Sequence, residues 1–191
     1  MRIPPIIIDS LSGKVRQSFL YWAKYMETDL SFSLPDSRIH AKGHSERVLL
    51  YALLLREQVS GSMEKDNDVL GLASIFHDTR RWDDFLDTGH GARAAAYFKS
   101  YCEASDDVDF SESAYLIMAY HDQDDESGIK AIKRIQAAEA ERTIRLYRIF
   151  KDADALDRFR LGEEGLDVRF LRHQEAIRLI DFAKNLVRLT I

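Results

Sequence analysis

The sequence predicts an all-α protein, a single domain of about seven helices. Apolar residues recur three and four positions apart along most of the chain, which is the helical period. Alternating apolar and polar runs, the mark of half-buried strands, are almost absent. The three prolines, Pro4, Pro5 and Pro35, lie near the N-terminus, so beyond them only glycines and polar clusters interrupt a helix.

Each element follows from its own pattern. Leu11, Val15, Phe19, Trp22 and Met26 share one face and predict a helix over 11–30. Val48, Tyr51, Ala52 and Leu55 predict one over 42–59, and the apolar run Leu70–Phe76 one over 67–78. The small residues after His90 predict a helix over 91–104, and Tyr115–Tyr120 one over 112–121. Ile144, Tyr147 and Phe150 predict helix over 130–161, with a break inside it left open; Phe170, Ile177 and Ile180 predict one over 165–188. Ser60-Gly61-Ser62, Asp87-Thr88-Gly89 and Ser127-Gly128 carry turn chemistry. The expected organisation is one domain over 1–191. It has an N-terminal helical segment over 1–39, a core over about 40–160 and the C-terminal helix 165–188.

A chain of 191 residues can bury about two-thirds of its unfolded surface, enough for a core without disulfides. With 46% hydrophobic and 31% charged residues, the disordered and fibrous classes are excluded. No apolar run approaches the about 20 residues of a membrane span. One basic residue, two prolines and a short Ile run do not make a secretory signal. Cys102 is the single cysteine, and the default reading is a cytoplasmic protein. Net charge is -5, unevenly spread: residues 100–129 hold nine acids and no Lys or Arg, and residues 130–191 hold 14 basic against 10 acidic groups. The acidic stretch would repel a phosphate backbone, which argues against bulk nucleic-acid binding, while the basic third could face a small anion. Oligomeric state, including a homo-oligomer, stays open.

Chemistry is concentrated at the histidines. His44 opens a helix, His77-Asp78 closes one, His90 follows a glycine at a helix start, and His121 closes the helix Tyr115–Tyr120. Ends of core helices are where side chains converge on one point and still reach solvent, as a metal site requires. Asp152, Asp154 and Asp157 then stand between Phe150 and Phe159, and helical spacing lets only one or two of them line one site. A lone buried histidine is more often a hydrogen-bonded core residue than a ligand. The joint pattern is the stronger signal. Asp122, Asp124, Asp125 and Glu126 lack the spacing of a calcium loop and read as a solvated acidic loop. His173, among Arg169, Arg172 and Glu175, reads as a surface helix residue, and Tyr97, Phe98, Tyr101 and Tyr115 read as core.

The order His44 … His77-Asp78 … Asp154 resembles the HD domain superfamily of metal-dependent phosphohydrolases, as a small stand-alone member of bacterial type. Gly43-His44-Ser45-Glu46-Arg47-Val48 is similar to the family's first histidine with its Arg-Val helix. Leu72–Asp78 is similar to its His-Asp signature, His90-Gly91-Ala92 to a helix start seen in many members, and Asp152-Ala153-Asp154 to the closing motif. The resemblance implies an all-α HD-like bundle in which His44, His77, Asp78 and Asp154 hold one divalent metal. His90 and His121 would hold a second, bridged by Asp78. The metal could be Mn, Fe, Co, Ni, Zn or Mg, one or two per chain. Tyr120-His121 replaces the adjacent histidines of some dinuclear members, and the absence of Gly-Tyr-Pro disfavours a cyclic-di-GMP phosphodiesterase.

The implied reaction is hydrolysis of a nucleotide or related small phosphate ester by metal-activated water. Asp78 would be catalytic through the metal, and His40, four residues before His44, resembles a proton donor. Arg80, Arg81, Lys42 and Lys151 are the candidate phosphate-binding cations. The same six ligand positions also resemble the HD-fold di-iron oxygenases. The remaining alternative is a non-catalytic helical ligand-binding module.

Overall fold

The computed structural model describes residues 2–59, 63, 65–105 and 107–191. It is all-α, with no strand among the described residues. No described helix is long and apolar enough to cross a membrane. The turn expected at Ser60-Gly61-Ser62 lies outside the described residues.

The chain begins with α1 (Pro5–Ser10), whose proline occupies a first-turn position that has no N–H to lose. The buried Glu46 fastens this end by accepting the backbone N–H groups of Arg2 at 2.8 Å and Ile3 at 3.1 Å. α2 (Gly13–Asp29) is capped by the Ser12 hydroxyl and buries the expected stripe Val15, Phe19, Trp22 and Met26. α3 (Lys42–Gln58) is the central helix, buried on nearly every side from His44 to Leu55. It packs on α2, on α4 (Asp66–Phe76) and on α8 (Ala137–Leu156). α5 (His90–Ala104) and α6 (Glu112–Tyr120) pair beside α4. One cluster of buried apolar side chains runs from Ile3 to Val187 and takes in Phe19, Tyr51, Phe76, Phe98 and Phe150.

Two expected long helices are divided. The segment over 130–161 is α7 (Asp125–Ile132), a turn, α8, and a 3₁₀ turn over Asp157–Leu161. Asp124 starts α7 early because its carboxylate caps the Ser127 N–H. Ser127-Gly128 is therefore helical, not a turn. Gly128 serves packing instead: a Cβ there would collide with the Tyr147 hydroxyl. The segment over 165–188 is a 3₁₀ turn (Val168–Phe170), α9 (Gln174–Arg178) and α10 (Ile180–Thr190). The buried Asp152 carboxylate accepts the N–H groups of Arg172 and His173, both at 2.9 Å, and so holds the chain extended just before α9.

Candidate metal centre

Five helices deliver six side chains to one place. His44 lies in the first turn of α3, and His77 caps the C-terminus of α4 with Asp78 after it. His90 opens α5, His121 caps the C-terminus of α6, and Asp154 lies in the last turn of α8. All are buried except Asp154, whose side chain is 30% exposed. His44 Nε2 stands 3.0 Å from His77 Nε2, 3.3 Å from Asp154 Oδ1 and 3.5 Å from Asp78 Oδ2. His90 Nε2 stands 2.9 Å from His121 Nε2 and 3.0 Å from Asp78 Oδ1. Asp78 thus lies between two histidine pairs, one carboxylate oxygen toward each.

The outer ring nitrogens decide what the inner ones offer. Nδ1 of His77, His90 and His121 faces the backbone oxygens of Ser74, Asp87 and Met118 at 2.9, 2.6 and 2.7 Å. A carbonyl only accepts, so each Nδ1 carries the proton, and a neutral ring then presents a lone pair at Nε2. His44 Nδ1 faces Asp157 Oδ2 at 2.8 Å, with the same consequence. Two lone pairs directed at each other about 3 Å apart repel unless a proton or a cation lies between them. Imidazoles oriented through Nδ1, with inward Nε2 and a shared carboxylate, are a donor set suited to a divalent cation. Three overlapping triads have ligand atoms within metal-binding range: His40–His44–Asp78, His44–His77–Asp154 and His77–Asp78–His121.

Burial keeps the cluster from charging by protonation. It pushes the His77 imidazole down to about 3 and also lowers His121 and His40. On His90 burial acts the same way, but the facing Asp78 carboxylate and the Asp87 carbonyl together outweigh it and the net shift is upward. Burial alone would raise Asp78 and Asp154. The imidazoles around them more than offset it and hold both below the usual carboxylate range.

Asp78, His90, His121 and Asp154 line an open cleft of about 820 Å³, while His44 and His77 are buried and outside its lining. His40 lies beside the cluster, with Nδ1 at 2.9 Å from Asp78 Oδ2. Of the four cations expected to meet phosphate, Arg81 and Lys151 line the cleft. Arg81 is buried against the His90 ring and the backbone oxygens of Asp83 and Phe85, and Lys151 is paired with Asp125 at 2.9 Å. Arg80 and Lys42 do not reach the cleft. The Arg80 guanidinium lies 3.3 Å above the Tyr97 ring and donates to Ser31 O, and Lys42 donates to Glu27 O. Phe85, Leu86 and Phe170, 83%, 94% and 68% exposed, form an apolar rim.

Several contributors escaped sequence reasoning. Asp157 is fully buried, accepts from Arg47 Nε at 2.6 Å and Nη2 at 2.9 Å, and orients His44. Arg47, three residues after His44, was the available signal. The stretch read as a solvated acidic loop is exposed at Asp124 and Glu126, but the Asp122 side chain, 5% exposed, lines the cleft and accepts from Gly89 N–H, and Asp125 pairs with Arg172. His173 is not a free surface residue, since its Nδ1 meets Asp152 Oδ2 at 2.8 Å. Asp152 is thereby engaged away from the cluster, and Asp154 is the acid of that pair that faces it. No family model, curated protein or solved structure matches the chain.

Proposed function

We propose that this protein is a metal-dependent phosphohydrolase of the HD type, acting on a nucleotide or related phosphate ester through metal-activated water. The observation that carries the reading is the convergence of four inward Nε2 atoms and two ionised carboxylates beside a solvent-open cleft that Asp78, His90, His121 and Asp154 line. His44, His77, Asp78 and Asp154 would hold one divalent cation, and His90 and His121, sharing Asp78, a second. When bound, such a cation supplies Lewis acidity, polarising a phosphoryl oxygen and lowering the pKa of a water. His40 lines the cleft and burial lowers its affinity for a second proton; with Nδ1–H directed at Asp78 Oδ2, its Nε2 is the nitrogen that can exchange a proton with substrate. The apolar rim supports an organic ester over inorganic phosphate as the ligand.

The test is elemental analysis of the purified chain before and after loading with Mn, Fe, Zn or Ni, with a phosphate-release screen. Wild type should hold one or two metals per chain, and Asp154→Ala should lose them. Asp78→Ala should abolish phosphate release while remaining folded; retained activity in that variant removes the reading. The position of Asp78 between both histidine pairs also suits a di-iron oxygenase of the same fold. Iron-dependent oxygen uptake without phosphate release would select that alternative.

A further inference from the structure

Arg160 lies in the 3₁₀ turn Asp157–Leu161, and its side chain, 4% exposed, lines the cleft. A guanidinium has five N–H donors, and in a buried place each needs an acceptor. Here Nε donates to Ile39 O at 2.6 Å. Nη1 is buried with no hydrogen-bond partner among the described residues, and Asp157 Oδ2, at 3.8 Å, is within reach of its charge but not of a hydrogen bond. Among the described residues Nη2 meets only His40 Nδ1, at 3.3 Å. That nitrogen also faces Asp78 Oδ2 at 2.9 Å, and a carboxylate accepts, so the proton between them belongs to His40. A nitrogen donating to Asp78 cannot accept from Arg160. Both terminal nitrogens of this buried guanidinium, on a residue that lines the cleft, therefore lack an acceptor among the described residues.

We propose that Arg160 is the anion-binding residue of the cleft and that it takes the phosphoryl oxygens of a phosphate ester, next to His40 and Asp78. A guanidinium edge presents two parallel N–H groups, which match two oxygens of a tetrahedral oxyanion better than a lysine can. Arg158 also lines the cleft, its Nε fixed by Gly165 O at 2.8 Å, and adds positive charge on the same wall. The identity of the anion rests on the phosphohydrolase reading; the unsatisfied guanidinium does not.

The test is calorimetric titration of inorganic phosphate, and separately acetate, into the full chain, first stripped with chelator and then reloaded with Mn²⁺. Wild type should bind phosphate in both states and bind acetate more weakly. Arg160→Gln should weaken phosphate binding at least tenfold in both states. Arg160→Lys, which keeps a charge but not the fork, should fall between, and thermal melting checks that each variant is folded. Phosphate affinity unchanged in Arg160→Gln, or no phosphate binding by wild type in either state, overturns the proposal. Tighter binding of acetate overturns the phosphate assignment. Arg160-dependent phosphate binding in a chain that holds no metal would support the anion site and remove the hydrolase reading; metal binding with Arg160-independent phosphate would do the reverse.

Discussion

Replacing Asp157 by asparagine separates what the buried network does for the fold from what it does for the candidate metal centre. Arg47 is 1% exposed and Asp157 fully buried, and two hydrogen bonds, at 2.6 and 2.9 Å, join them across 110 residues of chain. Removing the carboxylate charge leaves the guanidinium buried without its counter-ion, a loss of about 3–5 kcal/mol. The same change weakens the fixed proton on His44 Nδ1, and loss of such an orienting partner lowers metal affinity about 10–100-fold. The two effects come apart in the double variant Arg47→Met, Asp157→Leu. With both charges gone, most of the stability should return, because well-packed apolar pairs often equal or exceed buried ion pairs. His44 still lacks its partner, so the metal affinity should stay low. Urea unfolding in chelator measures the first quantity and Mn²⁺ titration of the folded protein the second. If Asp157→Asn matches wild type in both, or if the double variant regains the metal affinity, the account of this network is wrong.

Four further outcomes follow from the same geometry. Saturating Mn²⁺ should raise the melting temperature of wild type, since a ligand bound only by the folded state stabilises it, and Asp78→Ala should lose that response. Metal-stripped protein should lose stability as pH falls. The His77 pKa is lowered from 6.5 to about 3 on folding, so the unfolded state takes up the proton first. The stability is whole above about pH 6.5 and declines toward pH 3 by up to about 1.4 kcal/mol per unit; unfolding curves that are flat between pH 7 and pH 4 refute this. Gly91→Ala should displace His121, because the new Cβ would collide with Met118 O and stand 2.8 Å from His121 Nδ1. The readout is a lower metal stoichiometry in a folded chain. Gly128→Ala should cost about 1–3 kcal/mol of stability by forcing Cβ against the Tyr147 hydroxyl, with metal binding unchanged.

The helices were legible because most of them are amphipathic. The stripe Val15, Phe19, Trp22, Met26 and the run Leu70–Phe76 place α2 and α4 within two residues of their observed bounds. The misread places are those where a distant partner sets the local backbone. No Gly or Pro lies in the eight residues before α9, yet Asp152, 20 residues before Arg172, pulls the Arg172 and His173 N–H groups out of helical pairing. Likewise Arg80 and Arg81 are neighbours in sequence, but only Arg81 turns into the cleft, because Arg80 finds Tyr97 and Ser31 on the other side. Periodicity contains no term for such partners.

The histidines were legible for a different reason, which is that helix ends supply local acceptors. His77 and His121 each follow the last turn of a helix, where carbonyls run short of backbone partners. Each ring turns back onto the oxygen three residues earlier, Ser74 or Met118, and this alone fixes its tautomer and aims Nε2 inward. His90 does the same with Asp87 O, in the turn that Gly89 closes at φ +90°. His44 cannot. It lies in the first turn of α3, and the oxygen three residues back, on Ala41, already accepts the His44 and Ser45 N–H groups. A histidine at a helix N-terminus therefore needs a carboxylate brought from elsewhere, and that carboxylate needs its own counter-ion. Asp157 and Arg47 fill those two requirements. The same logic explains why Asp157 was missed, since the need for it arises at residue 44 and is met only when the last turn of α8 packs against α3.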